Sequence, residues 1–261
     1  MIVFASDLDN TMIYSYKKIK QPAICVEKKE EKELSYMTPK AHFLLQKIAK
    51  EILFVPITTR SVEQYERIFM LENKKASYAL ASNGGTLLID GKKDTTWLNE
   101  TKELIKDTLP ELEKAIYFLK RDENVSFEIR LVDDIFVYTK TKDIQQSLKL
   151  LSKKLDLNKV FVDSNGEKLY VFPNQINKGM AIKRIRSYLK SKFIIAAGDS
   201  AFDIPMLKEA DSAIIPNEEF LWQALKEHKK LYVAKNQGEQ FAEEILEIVS
   251  ENIINKGEVN E

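Results

Sequence analysis

Ile2-Val3-Phe4-Ala5-Ser6-Asp7-Leu8-Asp9-Asn10-Thr11 is an apolar run that ends in two aspartates one residue apart. A short continuous apolar run predicts a strand buried on both faces, and open α/β sheets place their ligands beyond the carboxyl ends of such strands. Asp7 and Asp9 are therefore delivered to the position where this class of fold does its chemistry. A carboxylate pair there can hold a hard cation such as Mg²⁺, and one of the two can act as a nucleophile. Alone, the same pair also reads as an acidic strand-to-loop turn.

Three further segments repeat the design. Ile52–Ile57 ends in Thr58-Thr59-Arg60, Tyr78–Ala81 ends in Ser82-Asn83-Gly84-Gly85, and Phe193–Ala197 ends in Gly198-Asp199-Ser200-Ala201-Phe202-Asp203. Amphipathic stretches such as Pro39–Lys50 and Ser61–Leu71 lie between them. Strands alternating with helices predict crossover units and a parallel sheet, so hydroxyls and carboxylates from several strand ends can meet in one site.

Asp7-Leu8-Asp9-Asn10-Thr11, Thr58, Asn177-Lys178-Gly179 and Gly198-Asp199-Ser200-Ala201-Phe202-Asp203 resemble, in order, the four motifs of the haloacid dehalogenase-like phosphatases. The long segment between the second and third motifs is similar to the branch with a large α/β cap inserted there, which includes Cof-like and sucrose-phosphate phosphatase-like enzymes. The resemblance spans nearly the whole chain. It implies an α/β fold: a Rossmann-like parallel-sheet core with helices on both faces, residues 1–85 and 174–261, plus an inserted α+β cap, residues 86–173. It also implies a Mg²⁺-dependent phosphomonoester phosphatase working through an aspartyl-phosphate on a small phosphorylated metabolite such as a sugar phosphate.

Under that resemblance Asp7 is the nucleophile, ionised at neutral pH with an ordinary pKa near ~3.9. Asp9 is the general acid, then the base that activates water. Mg²⁺ is held by Asp7, the Asp9 carbonyl and Asp199, with Asp203 supporting the metal shell or orienting Lys178. Lys178 supplies positive charge to the transferring group. Thr58 binds the phosphoryl group, with Thr59, Arg60, Asn83, Gly84 and Lys178 completing the substrate-binding set. On chemistry alone Thr59 serves as well as Thr58; the family's Thr-Gly-Arg pattern aligns Thr58. The fourth motif departs from a common form in having Phe202 where an asparagine precedes the second aspartate.

Composition bounds the rest. The 261 residues carry 40 basic and 40 acidic side chains, so no net charge favours nucleic acid. A single cysteine, Cys25, excludes an internal disulfide and a cysteine-based zinc site. With only His42 and His228, a histidine-rich metal site is not expected. No apolar stretch approaches the ~18 residues of a membrane span, and no basic segment followed by a long apolar one opens the chain, which predicts a cytoplasmic protein. The expected partner is a small phosphate ester, with no nucleic acid and no membrane; the sequence leaves the oligomeric state open.

Residues 12–38 form an unusual insertion containing the charge run Glu27-Lys28-Lys29-Glu30-Glu31-Lys32-Glu33, which reads as a solvated face or lid-like loop. In the cap, Thr86–Ile89 and Thr95–Trp97 flank Asp90-Gly91-Lys92-Lys93 as a hairpin. Helices are expected at 101–120 and 142–155, and strands at 125–131, 135–139, 159–163 and 169–172. The hinges are placed at Asn83-Gly84-Gly85 and Pro173-Asn174, and the polar tail 255–261 is expected to fray. Arg121, Arg130, Lys140 and Lys168 are the cap's candidates for contacting the leaving group. Two other function classes stay open: a regulatory or binding protein on the same fold, and a phosphomutase using the same nucleophile.

Overall fold

The computed structural model describes residues 1–20, 22–71 and 75–257, with side chains to residue 251. The chain folds as two compact units, Met1–Lys93 with Lys178–Glu261, and Asp94–Asn177.

The first unit is built on a five-stranded parallel sheet in the spatial order Leu231–Val233, Ser212–Ile215, Phe193–Ala197, Ile2–Ser6, Leu53–Pro56. Ile2–Ser6 lies beside Phe193–Ala197 in the register Ile2↔Phe193 to Ser6↔Ala197, and beside Leu53–Pro56 on its other edge. Phe4, Phe54, Ile195 and Ile214 pack with Leu45 and Ile48 of helix Pro39–Glu51 and with Ile245 and Val249 of helix Glu239–Gly257. The alternate residues Val3, Ala5, Ile194, Ala196 and Ala213 are equally buried, as a sheet covered on both faces requires. The fold is therefore α/β with flanking helices, as the sequence implies. Among the described residues no helix is long and apolar enough to cross a membrane.

The 12–38 insertion folds rather than hanging as a loop. Tyr14–Ser15, Lys32–Met37 and Ile24–Lys29 form a three-stranded sheet, and the charge run supplies its hairpin. Val26 and Met37 are buried, and the Phe69 N–H donates to the Val26 carbonyl. The amphipathic 61–71 stretch yields only the one-turn helix Val62–Tyr65, with Ser61 and Gln64 closing a capping box.

The second unit is a four-stranded antiparallel sheet in the order Val160–Asn165, Lys168–Pro173, Phe136–Lys140, Arg130–Val132. Val137, Val160, Leu169 and Val171 pack on Leu112, Ala115 and Leu119 of helix Leu109–Leu119 and on Leu151 of helix Ile144–Lys154. The single helix expected over 101–120 is two, Thr95–Ile105 and Leu109–Leu119, separated by the tight turn Lys106–Thr108. Pro110 explains the break, since it has no N–H to donate and its ring clashes with the preceding turn.

The unit boundaries differ from the expected 86 and 173. Thr86–Ile89 folds back antiparallel on Tyr78–Ala81, so it belongs to the core unit. Residues 174–177 stay with the second unit, because the Asn174 N–H donates to Lys159 O and the Ile176 N–H to Pro173 O. The Asp90-Gly91 turn forms as read, but its return strand is only Lys92–Lys93. Thr95–Trp97 opens a helix instead, because the Asp94 carboxylate accepts from the Trp97 N–H at 2.7 Å and caps it. The last helix runs on to Gly257 through the first part of the expected fraying tail; residues 258–261 lie outside the described residues.

Candidate active site

Asp7 sits one residue past Ile2–Ser6 and continues its register, its N–H donating to the Ala197 carbonyl at 3.0 Å. The chain then closes a single turn in which the Met12 and Ile13 N–H groups both donate to Leu8 O at 2.9 Å. Asn10 takes a positive φ of 63°, a conformation that asparagine tolerates better than most residues, and its side chain accepts from Lys18 Nζ at 2.8 Å. Thr58 follows the neighbouring strand Leu53–Pro56, and Asp199 follows Phe193–Ala197 on the other side. Three adjacent strands thus end in the residues that the sequence singled out.

At the centre, Lys178 is buried at the start of helix Lys178–Leu189. Its Nζ lies 2.5 Å from Asp7 Oδ1 and 2.6 Å from Asp203 Oδ1. Asp203 is fully enclosed, and its Oδ2 accepts from the Asp199 N–H (3.1 Å), the Ser200 N–H (2.9 Å) and Ser200 Oγ (2.8 Å). Both its oxygens are therefore engaged, which suits a residue that orients Lys178 and the 198–200 loop. Two glycines permit these approaches. A Cβ on Gly198 would lie 2.4 Å from Asp203 Cβ, and one on Gly179 would lie 2.7 Å from the Pro205 carbonyl.

Asp7, Asp199 and Asp203 offer oxygens within 4.8 Å of one another. Burial pushes the Asp7 carboxyl well above the usual carboxylate range against the pull of Lys178, and Asp203, Asp199 and Asp9 push the same way. Burial, then Asp203, raises Asp199 to about 7, opposed by the hydrogen bond from Thr11 Oγ1 to Asp199 Oδ1 at 2.9 Å. Burial works against the Lys178 ammonium, but Asp203 and Asp7 outweigh it and keep the charge in place. One ammonium against three clustered carboxylates leaves an excess of negative charge, and an all-oxygen set is what a hard divalent cation takes. The donors present fit Mg²⁺.

Asp9 faces a different partner. Arg60 donates from Nε to Asp9 Oδ2 and from Nη2 to Asp9 Oδ1, each at 2.8 Å, a bidentate pair. Its remaining Nη1 reaches Glu27 Oε1 at 2.8 Å. The guanidinium expected among the substrate-binding groups is therefore committed to two carboxylates. Glu27 was not singled out from the sequence, where it read as one more solvated charge.

Thr58, Thr59 and the Ser82–Gly84 turn belong to the same unit as this centre. Thr58 is buried, its N–H donating to Leu80 O and its hydroxyl accepting from the Arg60 N–H at 3.1 Å. Thr59 follows it, half-buried. The Asn83 N–H donates to Thr58 O and the Ser82 N–H to Arg60 O, so Ser82-Asn83-Gly84, all at positive φ, is knitted to this loop and sits inside the core unit rather than at a hinge. In the other unit, Arg121 lies over the Tyr117 ring and Arg130 pairs with Glu128 over the Phe127 ring.

The family model described as haloacid dehalogenase-like hydrolase matches residues 92–219. By sequence, no curated protein matches the chain. Among solved structures, the chain is similar to the sucrose-phosphatase of Synechocystis sp. PCC6803 solved with sucrose and phosphate. The two are 17% identical, with a TM-score of 0.63 over 96% of this chain and 97% of that one. A phosphatase of the haloalkanoate superfamily from Bacteroides thetaiotaomicron is 14% identical, with a TM-score of 0.58 over 96% and 95%. Trehalose-6-phosphate phosphatase from Aspergillus fumigatus is 12% identical, with a TM-score of 0.53 over 95% and 92%.

Proposed function

We propose that this chain, which belongs to the haloacid dehalogenase-like hydrolases, is a Mg²⁺-dependent phosphatase of a small phosphorylated metabolite, of the sugar-phosphate class, in the cytoplasm. The observation that carries the reading is the buried Lys178 ammonium bridging Asp7 and Asp203 at the edge of a three-carboxylate cluster. The choice of sugar phosphates rests on the substrates named for the sucrose and trehalose phosphatases of the same fold.

Asp7 is the nucleophile: its carboxylate oxygen bonds to phosphorus as the ester oxygen departs. Asp9 gives that oxygen a proton, then takes one from the water that attacks the aspartyl-phosphate. Lys178 holds Asp7 in place and faces the transferring group with positive charge. Thr58, with Asn83 and Gly84 in the turn bonded to it, binds the phosphoryl oxygens. Asp7, Asp199 and the Asp9 carbonyl would hold Mg²⁺, with Asp203 supporting them, and the bound cation would supply the positive charge that lets a phosphate dianion approach two carboxylates.

Hydrolysis of 4-nitrophenyl phosphate with Mg²⁺, compared with the same assay in EDTA, tests the activity. A panel of sugar phosphates, phosphoglycerates and nucleotides then tests the class. Turnover that EDTA abolishes, with preference for sugar phosphates, is expected. A folded protein inert on the whole panel points instead to a binding role, and isomer interconversion without phosphate release to a mutase.

A further inference from the structure

We infer that Glu27, acting through Arg60, is a positioning residue for the acid–base step of Asp9; this rests on the phosphatase reading above. Glu27 is only 3% exposed, although it opens a strongly charged run. The pairing between Ile24–Lys29 and Lys32–Met37 shifts register on both sides of Glu27, and such a bulge re-aims a side chain. Its neighbours Lys28 and Glu33 pair with each other at the surface, while Glu27 turns inward.

Burying a carboxylate is costly unless both its oxygens are engaged. Here Oε1 pairs with Arg60 Nη1 at 2.8 Å and Oε2 accepts from Ser35 Oγ at 2.5 Å. The guanidinium is planar, so fixing Nη1 from behind fixes the direction of Nε and Nη2, which hold Asp9. Exposure follows the same gradient, with the Glu27 side chain 4% exposed, Arg60 14% and Asp9 46%. The sheet inserted after the first motif therefore braces, from inside the protein, the one carboxylate whose tip must meet the leaving group.

In the first displacement the bond from Asp7 to phosphorus forms, the ester P–O bond breaks, and the proton on Asp9 goes to the departing oxygen. In the second, water gives a proton to Asp9 as its oxygen bonds to phosphorus and the Asp7–phosphorus bond breaks. A misdirected Asp9 harms the first displacement most when the departing oxygen needs a proton. A nitrophenolate leaves without one.

The full-length protein and its Glu27→Ala, Glu27→Gln and Ser35→Ala variants are compared on an alkyl phosphate and on 4-nitrophenyl phosphate. Glu27→Ala should lower kcat on the alkyl phosphate by about 10- to 100-fold, part of the 10²–10⁴ that a general acid provides. KM should be unchanged and the aryl substrate little affected. Glu27→Gln keeps an oxygen for Arg60 and should restore most of kcat. Ser35→Ala leaves the ion pair in place and should give a smaller loss with the same substrate bias. Equal losses on both substrates, or a change in KM alone, overturn the proposal. Independently of turnover, hydrogen exchange at the Arg60 Nε–H should be faster in Glu27→Ala than in wild type. Unchanged exchange refutes the brace, whereas a wild type that hydrolyses neither ester refutes the phosphatase reading instead.

Discussion

The hydroxyl of Thr11 donates to Asp199 Oδ1 at 2.9 Å, joining the turn after the first strand to the loop after Phe193–Ala197. That bond orients a carboxylate proposed to ligate the metal and favours its ionised form. Thr11→Val should therefore weaken Mg²⁺ binding by about 10–100-fold, the usual cost of losing a group that supports a ligand. Thr11→Ser should not. Mg²⁺ titrations of activity decide it, and superimposable curves for wild type and Thr11→Val would count against the assignment.

The same carboxylates make metal-free stability depend on pH. A carboxyl whose folded pKa is raised stabilises the fold below its unfolded pKa, and this contribution is lost as pH rises through the folded value, about 7 for Asp199. The protein in EDTA should lose thermal stability between about pH 4 and 8 on this account. Mg²⁺ should restore more at pH 8 than at pH 5.5, by an amount that grows with ligand excess. A Mg²⁺-induced rise in Tm of equal size at both pH values would contradict this.

Asp7→Asn nearly preserves size and removes a carboxyl that burial already disfavours in its charged form. Turnover should fall by ~10⁴-fold or more, since an amide cannot attack phosphorus, while Tm should not drop. Residual hydrolysis near wild-type levels in the folded variant would eliminate the covalent route.

Lys178→Met should lower stability as well as turnover. It leaves Asp7 and Asp203 facing each other without their cation, and breaking a buried pair costs about 3–5 kcal/mol. Urea unfolding measures it, and adding Asp7→Asn to Lys178→Met should recover part of the loss because the two groups are coupled. Strict additivity of the two substitutions would show that the pair does not act as a unit.

Gly198→Ala tests the closest backbone approach in the site. Its Cβ would meet Asp203 Cβ at 2.4 Å, so the loop must shift, at a cost of about 1–3 kcal/mol. A Gly198→Ala protein as stable as wild type would mean that this loop yields easily.

What could be read from the sequence was what depends on near neighbours. An apolar run ending in acids needs only its own residues to announce a buried strand and a reactive end, and Ile2–Ser6 and Phe193–Ala197 follow that logic. The Thr95-Thr96-Trp97 stretch misled because β-branched and aromatic residues favour strands, although Asp94 was present as the capping signal. Pro110, too, stood inside the expected 101–120 helix as a visible breaker. Glu27 was illegible for another reason. Its inward turn depends on a register shift between two strands and on Arg60, 33 positions away, and neither leaves a mark on a run of alternating charges.

The place of Ile2–Ser6 between Leu53–Pro56 and Phe193–Ala197 also bears on the order in which the protein can be made. One edge of this strand is met early, by Leu53–Pro56, but the other waits for Phe193–Ala197, after the whole 94–177 unit has been synthesised. At ~5–20 residues per second, translation leaves that edge without its partner for roughly 10–40 s. Pairings so distant in sequence form slowly, and an apolar strand edge left open invites association with other chains. The nascent chain should thus need protection during translation at the strand that later carries Asp7, and ribosome-bound fragments ending before residue 193 should aggregate more readily than the released protein.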